Sequence, residues 1–393
     1  MNTLIQPLTE YSTVCDLREE ILKGRYSVCV SGCTDSQKSN LIMAASDGMM
    51  QRLIFTCDDN RARELTADLA LYTDDAVFYP SKDIIFYSAD IRGNAIVRER
   101  LKALKKLVLG EPVTVVASVG AGMEKLLPPQ KFREKVIRIT DTDSIDINSL
   151  TDRLLNIGYI REGMAEEPGQ FAIRGGIIDI FPIQEDTPVR IDLWDNEIDS
   201  MKLYDAASQR SIEKIKEVYI FPAAELVFSA DERAAGLEKI SREADRAHER
   251  FIRDGNTEAA ANIRRTTGEF LSDCEYLSGS VGMDSYVDYF CSDTVSLTDY
   301  FDRDGTACLF LDEPHRLKDT AEAIEAEFAE SMTGRLEKGY ILPGQVKAVY
   351  GVNELFARIA GRKCVMLSML DGVELFEFEF TVVFAVDAAV SCG

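Results

Sequence analysis

From residue 26 to residue 118 short apolar runs alternate with longer amphipathic segments, and no other property of the chain limits its fold as tightly. Residues 26–31, 52–57, 76–79 and 113–118 read as strands, and residues 40–49, 61–71 and 95–109 carry apolar side chains at helical spacing between them. A parallel neighbour in a sheet can be reached only by a crossover, so strand and helix alternating at this pitch imply a mostly parallel sheet covered by helices. A helix over residues 6–24, with Leu17, Ile21 and Leu22 on one side, precedes it and stops at Gly24, which suits a C-cap.

At 393 residues the chain exceeds one ordinary core, so about two or three domains are expected. Its formal charge of −23 repels nucleic acid and anionic membrane on average, and any DNA contact has to come from a local basic patch. No basic-then-apolar signal opens the chain, and its longest apolar run, near residues 381–386, falls far short of the ~20 residues that span a bilayer. A cytoplasmic location and no membrane partner are expected. Nine cysteines offer one close pair, Cys29 and Cys33, without a second pair to complete a zinc site or a disulfide framework, and they read as reduced thiols. The only histidines, His248 and His315, sit in no recognisable metal or nucleophile motif, so neither a metal site nor a catalytic residue is assigned.

Beyond the prolines at 128 and 129 the text changes to period-two alternation broken by Gly, Pro and Asp, with one helix over residues 145–157. This predicts an antiparallel β-rich unit reaching residue 222. Helices return over residues 233–252, 257–271 and 319–331, with one buried strand at 308–311. The expected fold class is α/β: a degenerate P-loop NTPase-like parallel-sheet body with an inserted antiparallel β-rich domain. Its units are an N-terminal helix (1–24), an α/β lobe (25–128), the β-rich domain (129–222), a helical return that completes the lobe (223–345) and a following region (346–393). In that last region residues 376–380, F-E-F-E-F, begin a strand without a sequence neighbour to pair with, which reads as truncation of a longer protein or as an edge strand.

The first strand leads into G-C-T-D-S-Q-K-S. A phosphate loop, G-x-x-x-x-G-K-[ST], works because glycines let backbone amides wrap the phosphates while Lys and Ser/Thr meet the terminal phosphates and Mg²⁺. Gly32, Lys38 and Ser39 fit, but Gln37 stands where the second glycine belongs and Asp35 adds a negative charge inside the cradle. Residues 308–313, C-L-F-L-D-E, supply an apolar strand ending in Asp312 and Glu313, which in a working site would hold Mg²⁺ through water and polarise the attacking water. The same string also suits a buried strand ending in two solvated acids before a helix-starting proline. The residues favour a disabled loop over a working ATPase.

The β-rich unit carries E-P-G-Q-F-A-I-R-G-G-I-I-D-I-F-P (167–182) and P-V-R-I-D-L-W (188–194). Alternation puts Val189, Ile191 and Leu193 on a core face and Arg190, Asp192 and Trp194 on the other. In the first segment it puts Phe171 and Ile173 inside and leaves Ala172 and Arg174 outside, before Gly175 and Gly176. Arginine and tryptophan are enriched at interface hot spots. Periodicity supports equally a surface in which Trp194 packs on a helix and the arginines pair with Asp192 or Asp195. Of the basic helices, residues 95–109 (Arg98, Arg100, Lys102, Lys105, Lys106) read as a solvated face in preference to a nucleic-acid contact. Residues 233–252, which interleave Arg242, Arg246 and Arg250 with Glu238, Glu243 and Glu249, read as self-neutralising.

The motifs of the β-rich unit, extended by D-N-E-I-D-S after Trp194 and by S-Q-R-S (208–211), resemble the UvrB-like N-terminal module of bacterial transcription-repair coupling factors, the Mfd family. The similarity takes in S-G-C-T-D-S-Q-K-S, Y-P-S-K-D (79–83), S-L-T-D-Y-F (296–301) and L-D-E-P-H-R, roughly residues 10–345. The helicase subunit UvrB shares F-x-x-R-G-x-x-x-D-I-F-P, but it would keep a glycine at Gln37 and carry a long tyrosine-rich hairpin where residues 85–98 are too short. The resemblance implies a monomeric recruitment module that binds UvrA, the damage-recognition ATPase, through Arg174, Arg190 and Trp194; the aromatic is commonly phenylalanine in the family. It implies no cofactor for the module itself. ATP with Mg²⁺, RNA polymerase and double-stranded DNA would be engaged by polymerase-binding and motor domains whose motifs are absent here. The alternative it leaves is an ATP-dependent DNA helicase or translocase.

Overall fold

The computed structural model describes residues 12–23, 27–82, 91–276, 283–301, 306–360, 362–369 and 381–385. The body begins with α1 (Ser12–Lys23), β1 (Ser27–Ser31), α2 (Asp35–Ala45), β2 (Gln51–Thr56), α3 (Asp59–Leu69), β3 (Ala76–Tyr79), α4 (Ile91–Leu109) and β4 (Val113–Ser118). β2 and β4 are buried at every position, as continuous apolar strands covered on both faces should be. Helix starts follow local capping: the Asp58 carboxylate accepts the Arg61 amide at 2.8 Å and sets α3. α2 differs from the sequence reading, which left residues 32–39 as an open loop and started the helix at 40. The helix begins at Asp35 and takes Gln37, Lys38 and Ser39 into its first turns, leaving Gly32, Cys33 and Thr34 between strand and helix.

The chain then leaves the body for β5 (Ile137–Thr140), α5 (Ile147–Asn156), β6 (Ile160–Arg161), β7 (Gln170–Arg174), β8 (Ile177–Ile180), β9 (Val189–Trp194), β10 (Glu197–Tyr204), β11 (Ser211–Lys214) and β12 (Glu217–Ile220). Six of these strands form a sheet in the order β11-β10-β9-β8-β7-β6, antiparallel except for the β6–β7 pair, while β12 pairs with β5. Its inner face places Phe171, Ile178, Ile180, Val189, Ile191 and Met201 in one core with Leu150 and Leu154 of α5. That burial fixes the register, because a slip of one residue would turn the whole apolar set to solvent.

Two long helices follow, α6 (Ala230–Arg253) and α7 (Thr257–Tyr276), packed on each other. Gly236 of α6 lies so close to the Phe290 ring that a Cβ could not fit there. The chain returns to the body through β13 (Ala307–Asp312), α8 (Pro314–Glu337), α9 (Val352–Ala360), β14 (Cys364–Leu367) and β15 (Thr381–Ala385). The body sheet is therefore seven-stranded, β15-β1-β14-β13-β2-β4-β3, and each of its pairs is parallel. One sequence expectation changes here. The return segment was expected to add only the strand at 308–311, yet β14, from the region placed beyond residue 345, sits between β1 and β13. Its four residues, C-V-M-L, are too few to show a period. The last strand takes the edge position that one of its two readings gave it, since β15 pairs in register with β1 alone; residues 376–380 and Gly24 lie outside the described residues. Among the described residues no helix is long and apolar enough to cross a membrane.

Candidate functional site

The outer face of the six-stranded sheet gathers the three residues singled out from alternation. On β9 Val189 and Ile191 are buried, Arg190 faces the other way, and Trp194 is 81% exposed, packed on no helix. Register sets Arg190 opposite Asp179 and Asp192 opposite Ile177, while Arg174 of β7 is also opposite Ile177. Arg174, Arg190 and Trp194 therefore occupy neighbouring rows of one face, with Arg190 and Trp194 separated along the strand by roughly 14 Å at ~3.4 Å per residue.

Both arginines are held by one carboxylate, and it is not either of those expected. Asp179 is 1% exposed; its Oδ2 accepts Arg174 Nη2 at 2.6 Å and Arg190 Nη2 at 2.8 Å, and its Oδ1 accepts Arg190 Nε at 2.6 Å. Gln209 Oε1 accepts Arg190 Nη2 at 2.7 Å, and the guanidinium lies 4.3 Å from the centroid of the Tyr204 ring. The hydrogen bonds that Arg190 donates to Asp179 hold its pKa above the ordinary value, and burial pushes the Tyr204 phenol up to about 12. Asp192 serves other partners: burial works against its charge, but the Lys202 ammonium and the Ser200 hydroxyl, both at 2.7 Å, bring its carboxyl below the usual value. Asp195 instead turns the chain between β9 and β10 with a positive φ of 58°. Two guanidiniums on one carboxylate leave a net positive, pre-ordered pair beside an exposed indole.

Ala172 departs from the expected exposure. It lies on the outer face opposite Asp179 but is 1% exposed, a small side chain next to the carboxylate over which both guanidiniums close. Ile173, expected inside, is only partly buried. Asp179 and Gln209 were missed from sequence. Asp179 had a signal, since period two on I-I-D-I sets it opposite the core residues Ile178 and Ile180; Gln209 sits in S-Q-R-S with no periodicity to mark it.

At the end of the body sheet, Lys38, Asp312 and Glu313 come together with Asp35 and Arg61 in a closed ionic cluster, while Gly32 lies between β1 and α2, and Gln37 and Ser39 lie in the first turns of α2. Lys38 is fully buried, and its Nζ lies 2.6 Å from Asp312, 2.7 Å from Glu313 and 2.9 Å from Asp35. Arg61 Nε reaches Asp312 at 2.9 Å and its Nη2 reaches Asp35 at 3.0 Å. Burial opposes the Lys38 charge, yet the three carboxylates hold its pKa above the ordinary value. The Asp35, Asp312 and Glu313 oxygens are close enough together to hold a metal ion, but the Lys38 ammonium already supplies their positive charge. The backbone is equally committed. The Cys33 amide donates to the Ser368 carbonyl at 3.1 Å, and the Gln37 amide to the Thr34 carbonyl at 2.9 Å. Gln37 Oε1 accepts both the Thr34 amide at 3.0 Å and its hydroxyl at 2.9 Å. With two cations facing three carboxylates, and these amides turned to protein acceptors, the residues do not fit a triphosphate with Mg²⁺.

Of the α4 cations only Arg100 departs from a solvated face: it is fully buried against Glu124 and Glu225. Arg98, Lys102, Lys105 and Lys106 stay partly exposed and pair with Asp186, Glu99, Glu185 and Asp75.

The fold is a parallel α/β body with an inserted β domain, on whose outer sheet face an ordered arginine pair lies near an exposed tryptophan. Residues 137–226, most of the β-rich unit, match the UvrB interaction domain family. Over most of its length the chain is also similar to part of known transcription-repair-coupling factors. It is 31% identical to the transcription-repair-coupling factor of Bacillus subtilis (strain 168) over 348 residues, 87% of this chain and 29% of that protein. It is 26% identical over 326 residues to that of Staphylococcus aureus (strain MRSA252), 82% of this chain and 27% of that protein. The chain thus spans less than a third of the length of these relatives.

Proposed function

We propose that this chain is the recruitment module of a transcription-coupled nucleotide excision repair protein, and that it binds UvrA through Arg174, Arg190 and Trp194. The observation that carries the reading is the outer sheet face itself: an indole 81% exposed beside two guanidiniums that Asp179 fixes in place. Exposed tryptophan and arginine are the side chains that dominate binding energy when a partner desolvates them, and a pre-ordered guanidinium loses little entropy on docking. The docking unit is taken as residues 129–222, and the module acts as a cytoplasmic monomer. Immobilised UvrA should retain the chain and lose it on Arg190→Ala or Trp194→Ala, with thermal melts confirming that each variant is folded; undiminished retention of both folded variants would remove the reading.

In the same proposal the loop at Gly32–Ser39 is a degenerate phosphate loop that serves as scaffold. Engagement of RNA polymerase and ATP-driven movement on DNA are assigned to domains other than this one. A second reading, a working ATPase of helicase type, rests on the survival of Lys38, Ser39, Asp312 and Glu313. Titration calorimetry with Mg-ATP separates the two: micromolar binding lost on Lys38→Ala would favour the enzyme.

A further inference from the structure

The basic surface of this acidic chain lies on α6, where the sequence suggested self-neutralisation. Lys239, Arg242, Arg246, Arg250 and Arg253 succeed one another at helical spacing, which puts them on one face, and all five are exposed. Together with Tyr289 and Pro343 they line one open cleft. Ile240, Ala244, Ala247 and Phe251 hold the adjacent face against the protein, so the stripe stays turned outward. Glu238, Asp245 and Glu249 fall beyond its other edge, so of the acids on this helix segment only Glu243 shares the cleft with the bases.

Little in the protein neutralises the stripe. Arg242 pairs with exposed Glu238 at 3.1 Å, Lys239 donates to the Tyr289 carbonyl at 3.1 Å, and the one acid in the cleft, Glu243, accepts the Tyr289 hydroxyl. Among the described residues Arg246 and Arg253 make no ion pair, and Arg250 lies over the Phe251 ring at 5.3 Å. The helix dipole accounts for cations in the last turn only, which leaves Lys239, Arg242 and Arg246 unexplained. The run covers ~21 Å at ~1.5 Å per residue, a distance over which duplex DNA, with one charge per ~1.7 Å, offers several phosphates. Interfaces between proteins gather apolar and aromatic area at their centre, whereas this cleft offers mainly cations, spread along the length of the helix.

We infer that the exposed face of α6 contacts the phosphodiester backbone of double-stranded DNA without regard to sequence, apart from the docking face on the β domain. The test is fluorescence anisotropy of a labelled short duplex with the full chain and with a combined Arg242→Ala, Arg246→Ala, Arg250→Ala variant, at salt from about 50 to 200 mM. The intact chain should bind with steep salt dependence. The variant should bind at least ~10-fold more weakly at low salt, with a log–log salt slope reduced by up to ~2.7, the loss of about three phosphate contacts. A matching triple Arg→Lys variant should keep most of the binding, and thermal melts should leave both variants near the parent. No duplex binding at low salt, or an unchanged affinity and slope in the folded alanine variant, would overturn the inference. UvrA retention by the alanine variant should be unchanged, so this result and that of the docking proposal are read separately.

Discussion

Asp179 does for the proposed docking face what neither arginine does alone: it holds both guanidiniums while itself almost wholly buried. Asp179→Asn keeps the shape but removes the charge, leaving one guanidinium 40% exposed and the other 15% exposed without their counter-ion. Solvent around Arg174 softens the loss, so an expected cost of about 1–3 kcal/mol should appear in urea melts, below the full effect of breaking a wholly buried pair. UvrA affinity should fall with it, although Asp179 touches nothing outside the chain. Lys38 is the harsher case. Lys38→Ala would leave Asp312, 4% exposed, with Arg61 alone, and an expected loss of about 3–5 kcal/mol in the same assay would mark the lysine as structural. At this scale alternation alone located Arg190 and Trp194 correctly. It could not identify their partner, because the search ran to Asp192 and Asp195, neighbours in sequence, while Asp179 is a neighbour only through strand register.

The start of α2 shows how an element can be misread from a motif. The string T-D-S-Q is a capping signature as much as half of a phosphate loop, and in the folded chain Gln37 turns back on Thr34 and draws the loop into the helix. Gln37→Gly would restore the glycine of the motif and free the Thr34 amide. It should lower stability by about 1 kcal/mol through the lost cap and added backbone freedom, and calorimetry with Mg-ATP should still show no binding, since Lys38 keeps its three carboxylates. Elements with strong periodicity were legible: β2, β3, β4, β13 and the long helices fall within a few residues of their expected places. β14 was not, because a four-residue strand at the centre of a sheet is recognisable only from the strands on either side of it. α4 was legible as a helix but not as an interior one, since Arg100 looks like any surface arginine until Glu124 and Glu225, far along the chain, close over it.

Across the whole molecule that buried cluster ties the parts together. Arg100 of α4 meets Glu225, just after the β domain, and Glu124; Lys82 bridges Glu225 and Asp284, both at 2.8 Å. The body, the exit from the β domain and the helical region share one ionic pin. Burial alone would raise the Glu225 pKa, but Arg100 and Lys82 bring it from 4.5 down to about 2. A depressed carboxyl stabilises the fold at pH above its unfolded value and loses that contribution as pH falls from about 4.5 towards 2. Urea melts across this window should therefore show stability dropping with acid in the parent and a shallower drop in Glu225→Gln, which starts from a lower plateau at neutral pH. The central claim, that the β domain docks UvrA by its outer sheet face, is tested most directly at Trp194, whose removal disturbs nothing inside the fold. The dissociation constant of purified UvrA should rise about 30-fold or more for Trp194→Ala, the loss of about 2 kcal/mol that defines a hot spot, with the melting temperature unmoved. An affinity equal to the parent's in the folded variant would contradict the account.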